Sequence, residues 1–126
     1  MSIIGLAQRL SGLTILVLLL VLLSSCERRS HEVRYVVTGT ATRIGVTYVN
    51  ASGGQEQRDV TTGWDTRFTV ETWERVVLTV FNKSTAGTVG CKLYVDGRLV
   101  QEAESEGGFT FARCAALAGA EPTPTP

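Results

Sequence analysis

Apolar residues alternate with polar ones along most of the chain, and the period is two. Val89, Cys91, Leu93 and Val95 recur at every second position. So do Val33, Tyr35 and Val37, then Ile44, Val46 and Tyr48, and then the even positions Trp64, Phe68 and Val70 with Thr66 among them. A period of two is the mark of strands with one buried face. Asp96-Gly97 stands between two such runs and predicts a tight hairpin, because both central residues of that turn need positive φ. Gly107-Gly108 predicts a second turn, and Phe109 to Cys114 a further strand that returns Cys114 to Cys91. This stretch reads as a three-stranded meander stapled across its outer members. Asn50 to Gly54 reads as a hairpin loop, and Gln55 to Thr61 as a polar edge strand whose charges discourage edge-to-edge pairing. Arg75 to Phe81 is apolar on both parities and reads as a central strand covered on both sides.

Seven to eight short strands, frequent turn signals and no helical periodicity after Cys26 predict an all-β fold, an immunoglobulin-like β-sandwich. A small closed barrel is the alternative. The length of 126 residues fits one domain. We place it at residues 32–114, after a tether at 26–31 and before a disordered tail at 115–126 that ends in alternating Pro and Thr.

The N-terminus departs from the period-two pattern. Arg9 precedes an apolar run, Leu13 to Leu23, which matches the hydrophobic region of a signal peptide and falls short of the roughly 20 residues that span a bilayer. Extending the run back to Ile3 gives the alternative of an uncleaved anchor. Leu23-Ser24-Ser25-Cys26 closes the run and resembles the bacterial lipobox. In such signals the Cys thiol is acylated and a peptidase cuts before it. Residues 1–25 are therefore expected to be a lipoprotein signal peptide, Cys26 the lipidated residue, and the mature protein a chain held by acyl groups on the extracytoplasmic face of the cytoplasmic membrane.

Three Cys is an odd number. With Cys26 acylated, Cys91 and Cys114 remain as one pair for an oxidising compartment. Two buried free thiols are the alternative. A bond between them closes a loop of about 24 residues, worth roughly 3.4 kcal/mol in the chain-entropy model.

Twelve basic and twelve acidic residues leave no net charge and no basic footprint for nucleic acid. No catalytic constellation stands out. The single His, His31, has no second imidazole to work with and reads as an exposed loop residue, and Asp96 reads as a turn residue placed for backbone geometry. No cofactor motif or metal-ligand spacing is present. Glu102, Glu104 and Glu106 share one face and read as solvated. Asn50-Ala51-Ser52 and Asn82-Lys83-Ser84 match the glycosylation acceptor pattern but read as turns. Trp64 reads as core, whereas Trp73 and Tyr94 are candidates for an outward, partner-binding role.

From Val33 to Cys114 the chain resembles the mycobacterial small membrane protein (MmpS) family. The residues that carry the resemblance are Val33-Arg34-Tyr35-Val36-Val37-Thr38-Gly39, Val46-Thr47-Tyr48, Trp64 ahead of Thr66-Arg67-Phe68-Thr69-Val70, Gly87 to Val100, and Gly108 to Cys114. The resemblance implies a β-sandwich on the outer face of the cytoplasmic membrane. It also implies an accessory role beside a large transporter of the resistance-nodulation-division (RND) type that exports lipids or siderophores. Two features depart from the family pattern: a lipobox stands where a transmembrane helix is usual, and Gly63 stands where Pro often precedes the Trp. The second functional expectation, independent of the resemblance, is a free-standing surface module that binds a small lipid or glycan.

Overall fold

The computed structural model describes residues 29–120, together with the single position Val17. Apart from Val17, the expected signal peptide at 1–25 lies outside the described residues, as do Cys26 and the Pro/Thr segment from 121. No helix among the described residues is long and apolar enough to cross a membrane.

Eight strands follow one another: β1 (Ser30–Gly39), β2 (Ile44–Val49), β3 (Gln55–Val60), β4 (Asp65–Glu71), β5 (Arg75–Asn82), β6 (Thr88–Val95), β7 (Arg98–Glu106) and β8 (Phe111–Leu117). They form two four-stranded antiparallel sheets, ordered β4-β1-β6-β7 and β3-β2-β5-β8. The fold is the expected β-sandwich and not the closed barrel that was its alternative. The inward parity of each strand fills the space between the sheets: Val33, Tyr35 and Val37 from β1, Val76, Leu78 and Val80 from β5, and Val89, Cys91, Leu93 and Val95 from β6. Gln55–Val60 is an edge strand, as its polarity predicted.

Cys91 and Cys114 are bonded, with Cα atoms 6.1 Å apart. The meander expected around them is not formed. β6 and β7 make a hairpin on Asp96-Gly97, whose φ values of 52° and 79° are those of the anticipated turn. β8, however, crosses to the other sheet and pairs with β5. The disulfide therefore ties one sheet to the other. The Gly107–Thr110 connection turns the chain across the sandwich rather than back along the same sheet. Gly108 is where it does so: a Cβ there would lie 2.4 Å from the Thr85 carbonyl oxygen.

Both domain boundaries move outward. β1 begins at Ser30, and the Arg29 carbonyl accepts a hydrogen bond from the Thr72 N–H at 3.0 Å. At the other end Ala115 to Leu117 belong to β8, and Ala118 is buried, exchanging main-chain bonds with Trp73 and Glu74. The small residues of 115–120 read as tail because small side chains carry little apolar signal. Ala115 and Ala116 pair with β5, and Ala118 and Gly119 pack against the β4–β5 turn.

Strand directions sort the connections into two ends. The N-terminus of β1, the C-terminus of β8, the β4–β5 turn at Thr72–Glu74 and the β6–β7 turn lie at one end. The Asn82–Gly87 and Gly107–Thr110 loops lie at the opposite, distal end.

Candidate interaction surfaces

The sandwich carries exposed aromatics at both ends. At the distal end, period-two alternation sends Asn82 inward and its neighbour Phe81 outward, and the disulfide fixes the parity of β8, so Cys114 and Ala112 face inward and Phe111 outward. Phe81 and Phe111 are direct cross-strand partners on the open face of the β3-β2-β5-β8 sheet. Phe109 stands two residues before Phe111, in the connection that leads into β8, with φ of 57°. Phe109 is 61% exposed and Phe111 62%. Patches of this kind mark interaction sites more often than scattered single residues do. The expectation that β5 is covered on both sides is thus corrected: β5 is central in its sheet, but its outer face is open at Phe81.

Asn82 holds the patch in place from below. It is fully buried, and its Nδ2 donates to the carbonyls of Ala86 at 3.1 Å and Gly107 at 2.9 Å. Its Oδ1 accepts from the Ser84 N–H at 2.9 Å. One side chain thereby ties both distal loops to the end of β5. A side chain so engaged is not available as a glycosylation acceptor in the folded protein, in line with its reading as a turn residue.

Beside the patch, Gly45, Thr47 and Thr79 floor a shallow groove of about 440 Å³, walled by Phe81 and Lys83. A second groove of about 450 Å³ continues across the same face beside Thr47, Val77 and Arg113. The two grooves extend the aromatic corner into a continuous, contoured sheet face.

At the N-terminal end, Trp73 is 66% exposed with φ of 70°. Tyr94 lies on the outer face of the other sheet, half-buried, with the Arg34 guanidinium 5.4 Å from its ring centre. Arg34 is itself ion-paired with Asp65. That pair raises the Arg34 pKa and lowers that of Asp65, in each case chiefly through their shared hydrogen bond. Trp73 and Tyr94 are not brought together. Tyr94 is roofed by an arginine, and Trp73 stands at the tip of a turn.

His31 is not an exposed loop residue. It lies in β1 with its side chain 14% exposed, its Nδ1 2.6 Å from Asp96 Oδ2 and its Nε2 2.9 Å from Thr72 Oγ1. Asp96 is accordingly more than a turn residue: it also accepts from the Glu32 N–H at 3.1 Å, and the His31 hydrogen bond holds its pKa below the ordinary carboxylate value. The order Thr–His–Asp has the layout of a hydrolase relay. The Thr72 hydroxyl, though, donates to the Arg29 carbonyl at 3.0 Å, so its proton is already engaged. The cluster acts as a clasp that ties the start of β1 to the β4–β5 and β6–β7 turns. The glutamates of β7 remain on one exposed face, and no group of metal-binding side chains forms among the described residues.

Sequence inspection missed the Phe81–Phe109–Phe111 corner. Parity was the available signal: counting outward from Cys114 and Val80 puts Phe111 and Phe81 on the same solvent face.

No protein-family model matches the chain, and no curated protein matches it.

Proposed function

We propose that this chain is a membrane-anchored extracytoplasmic docking module, an accessory protein that binds a membrane transporter through the open face of the β3-β2-β5-β8 sheet. The observation that carries the proposal is the exposed corner formed by Phe81, Phe109 and Phe111. Aromatic residues are enriched at the centres of protein interfaces and dominate their binding energy. The N-terminal run and lipobox support attachment through acyl chains on Cys26. Confinement beside a membrane raises the effective concentration toward a membrane partner, so a modest interface suffices. The resemblance to the MmpS family supports an RND-type transporter as that partner and export of lipids or siderophores as the shared task.

The test is co-purification after crosslinking in cells that make the full chain. A Phe81→Ser, Phe111→Ser variant should keep its disulfide and its membrane fraction but lose at least tenfold in captured transporter. Both side chains lie on the outer face, Phe81 39% and Phe111 62% exposed, so the change should cost no more than the cross-strand pair supplies. An intact disulfide and a cooperative thermal transition check that the variant folds. Unchanged capture removes this face from the interface. If the unaltered protein captures no membrane protein, docking itself is wrong.

A further inference from the structure

Trp73 occupies a position that the backbone reserves for other residues. The Glu74 N–H bonds the Glu71 carbonyl at 3.2 Å, which closes a four-residue turn with Trp73 as its third member. Positive φ at that place selects Gly or Asn. A bulky residue there stores strain, and such strain collects at functional sites. The surroundings enforce it: the Trp73 N–H donates to the Ala118 carbonyl at 2.7 Å, and the Ala118 N–H returns a bond to the Glu74 carbonyl at 2.9 Å. The indole nevertheless projects outward, which packing does not account for. Exposed Leu117 ends β8 at the same end of the sandwich, and exposed Leu99 starts β7 there.

The chain reaches this end directly from its apolar N-terminal run. From Cys26 to Ser30 the chain spans at most about 14 Å when fully extended. The turn is thus kept close to the bilayer whether Cys26 is acylated or the run is retained. Trp places an apolar ring and a polar N–H together, and it concentrates at the level of lipid headgroups. Charge at this end is mixed, with Arg29, Arg75 and Arg98 beside Glu71 and Glu74, so apolar contact carries the attraction.

We propose that the Thr72–Trp73–Glu74 turn, flanked by Leu117, is a seat that inserts Trp73 into the headgroup layer of the membrane to which the chain is anchored, fixing the sandwich upright. The proposal rests on the anchored reading given above. The experiment uses the full chain in vesicles of phosphatidylcholine and phosphatidylglycerol that carry nitroxide-labelled lipids. The difference in emission between the unaltered protein and a Trp73→Phe variant isolates Trp73, since Trp64 is common to both. That difference signal should be quenched at least twofold more by a headgroup-level nitroxide than by one near the bilayer centre. No quenching while the protein floats with the vesicles overturns the seat and leaves anchoring intact. Failure to float overturns both. A Trp73→Gly variant, which relieves the strained backbone, should unfold at no lower temperature than the unaltered protein; a lower Tm would make Trp73 a packing residue and overturn the seat.

Discussion

Two side chains, Tyr35 and Asn82, each close a gap that main-chain pairing leaves open. The ladder between β2 and β5 stops at Tyr48 and Leu78. Just beyond it, the Tyr35 hydroxyl reaches across from the opposite sheet, donates to the Val49 carbonyl at 2.9 Å and accepts from the Val77 N–H at 3.1 Å. Burial pushes its pKa well above the ordinary phenol value, so it stays a neutral donor. Tyr35→Phe keeps the ring contacts with Tyr48 and Phe68 and removes only the hydroxyl. It should cost about 1–3 kcal/mol, the penalty for a buried N–H left without a partner, read as a lower denaturant midpoint at unchanged slope. Asn82→Asp is the sharper change. It would set a buried carboxylate against the carbonyls of Ala86 and Gly107, which the amide now satisfies as a donor. The expected loss is about 3 kcal/mol or more, accompanied by loosening of the distal loops that carry Phe109, visible as faster amide exchange over residues 83–87 and 107–110.

At the scale of elements, alternation marked β1, β2, β4 and β6 with their inward faces, whereas β3 was read from its polarity, β7 and β8 from the turns before them, and β5 without a face because its run is apolar on both parities. Sheet membership was not legible. A strand's own residues fix which face is inward, but not whether a connection returns it to the same sheet. Gly107-Gly108 serves a hairpin or a crossover equally well, and only its packing on Thr85 distinguishes them. The Cys pair was legible from its count once Cys26 was set aside, whereas its role as a tie between sheets needed β8 to be placed. Replacing both Cys91 and Cys114 by Ala should cost about 2–5 kcal/mol, measured by chemical denaturation against the oxidised protein. Of the candidate sites, Trp73 was legible as an outward aromatic. Phe81 was hidden by a run that looked apolar on both sides, and the His31 clasp by residues that are far apart in sequence. The ion pairs between elements add a pH signature. Asp59 beside Lys83, Asp65 beside Arg34 and Asp96 beside His31 are all held below their ordinary value of 3.8. The folded state thus favours the ionised form, and the unfolded chain takes up protons first as pH falls. Their contribution is full above pH 3.8 and is lost as pH drops through the depressed values. Because the pairs lie at the surface, the resulting fall in Tm should be modest and should shrink in high salt.

On the scale of the whole molecule, the two aromatic sites have a fixed separation. β5 starts beside the Trp73 turn at Arg75 and carries Phe81 six residues further on, about 20 Å at the rise of an extended strand. With Trp73 seated at the membrane, the Phe81–Phe111 corner is presented about that far above the surface, at one height and in one orientation. A partner spanning the same bilayer then meets it with little orientational search. The short tether and the seat would both enforce this geometry, and they can be separated. Inserting about 20 Gly/Ser residues between Arg29 and Ser30 adds a flexible reach on the order of 25 Å. Alone, the insertion should leave transporter capture within about threefold of the parent, because the turn still holds the sandwich to the surface. Trp73→Gly alone should likewise be tolerated, because the short tether keeps the corner near its working height. Together they remove both constraints, and the domain samples a layer several times thicker in all orientations, so effective concentration at the docking face falls steeply. Capture by the combined variant should drop well beyond the product of the two single effects, while the membrane fraction stays unchanged. Strictly multiplicative losses would mean that tether and turn do not share the work of positioning the corner, and full capture by the combined variant would mean that height above the membrane plays no part in docking.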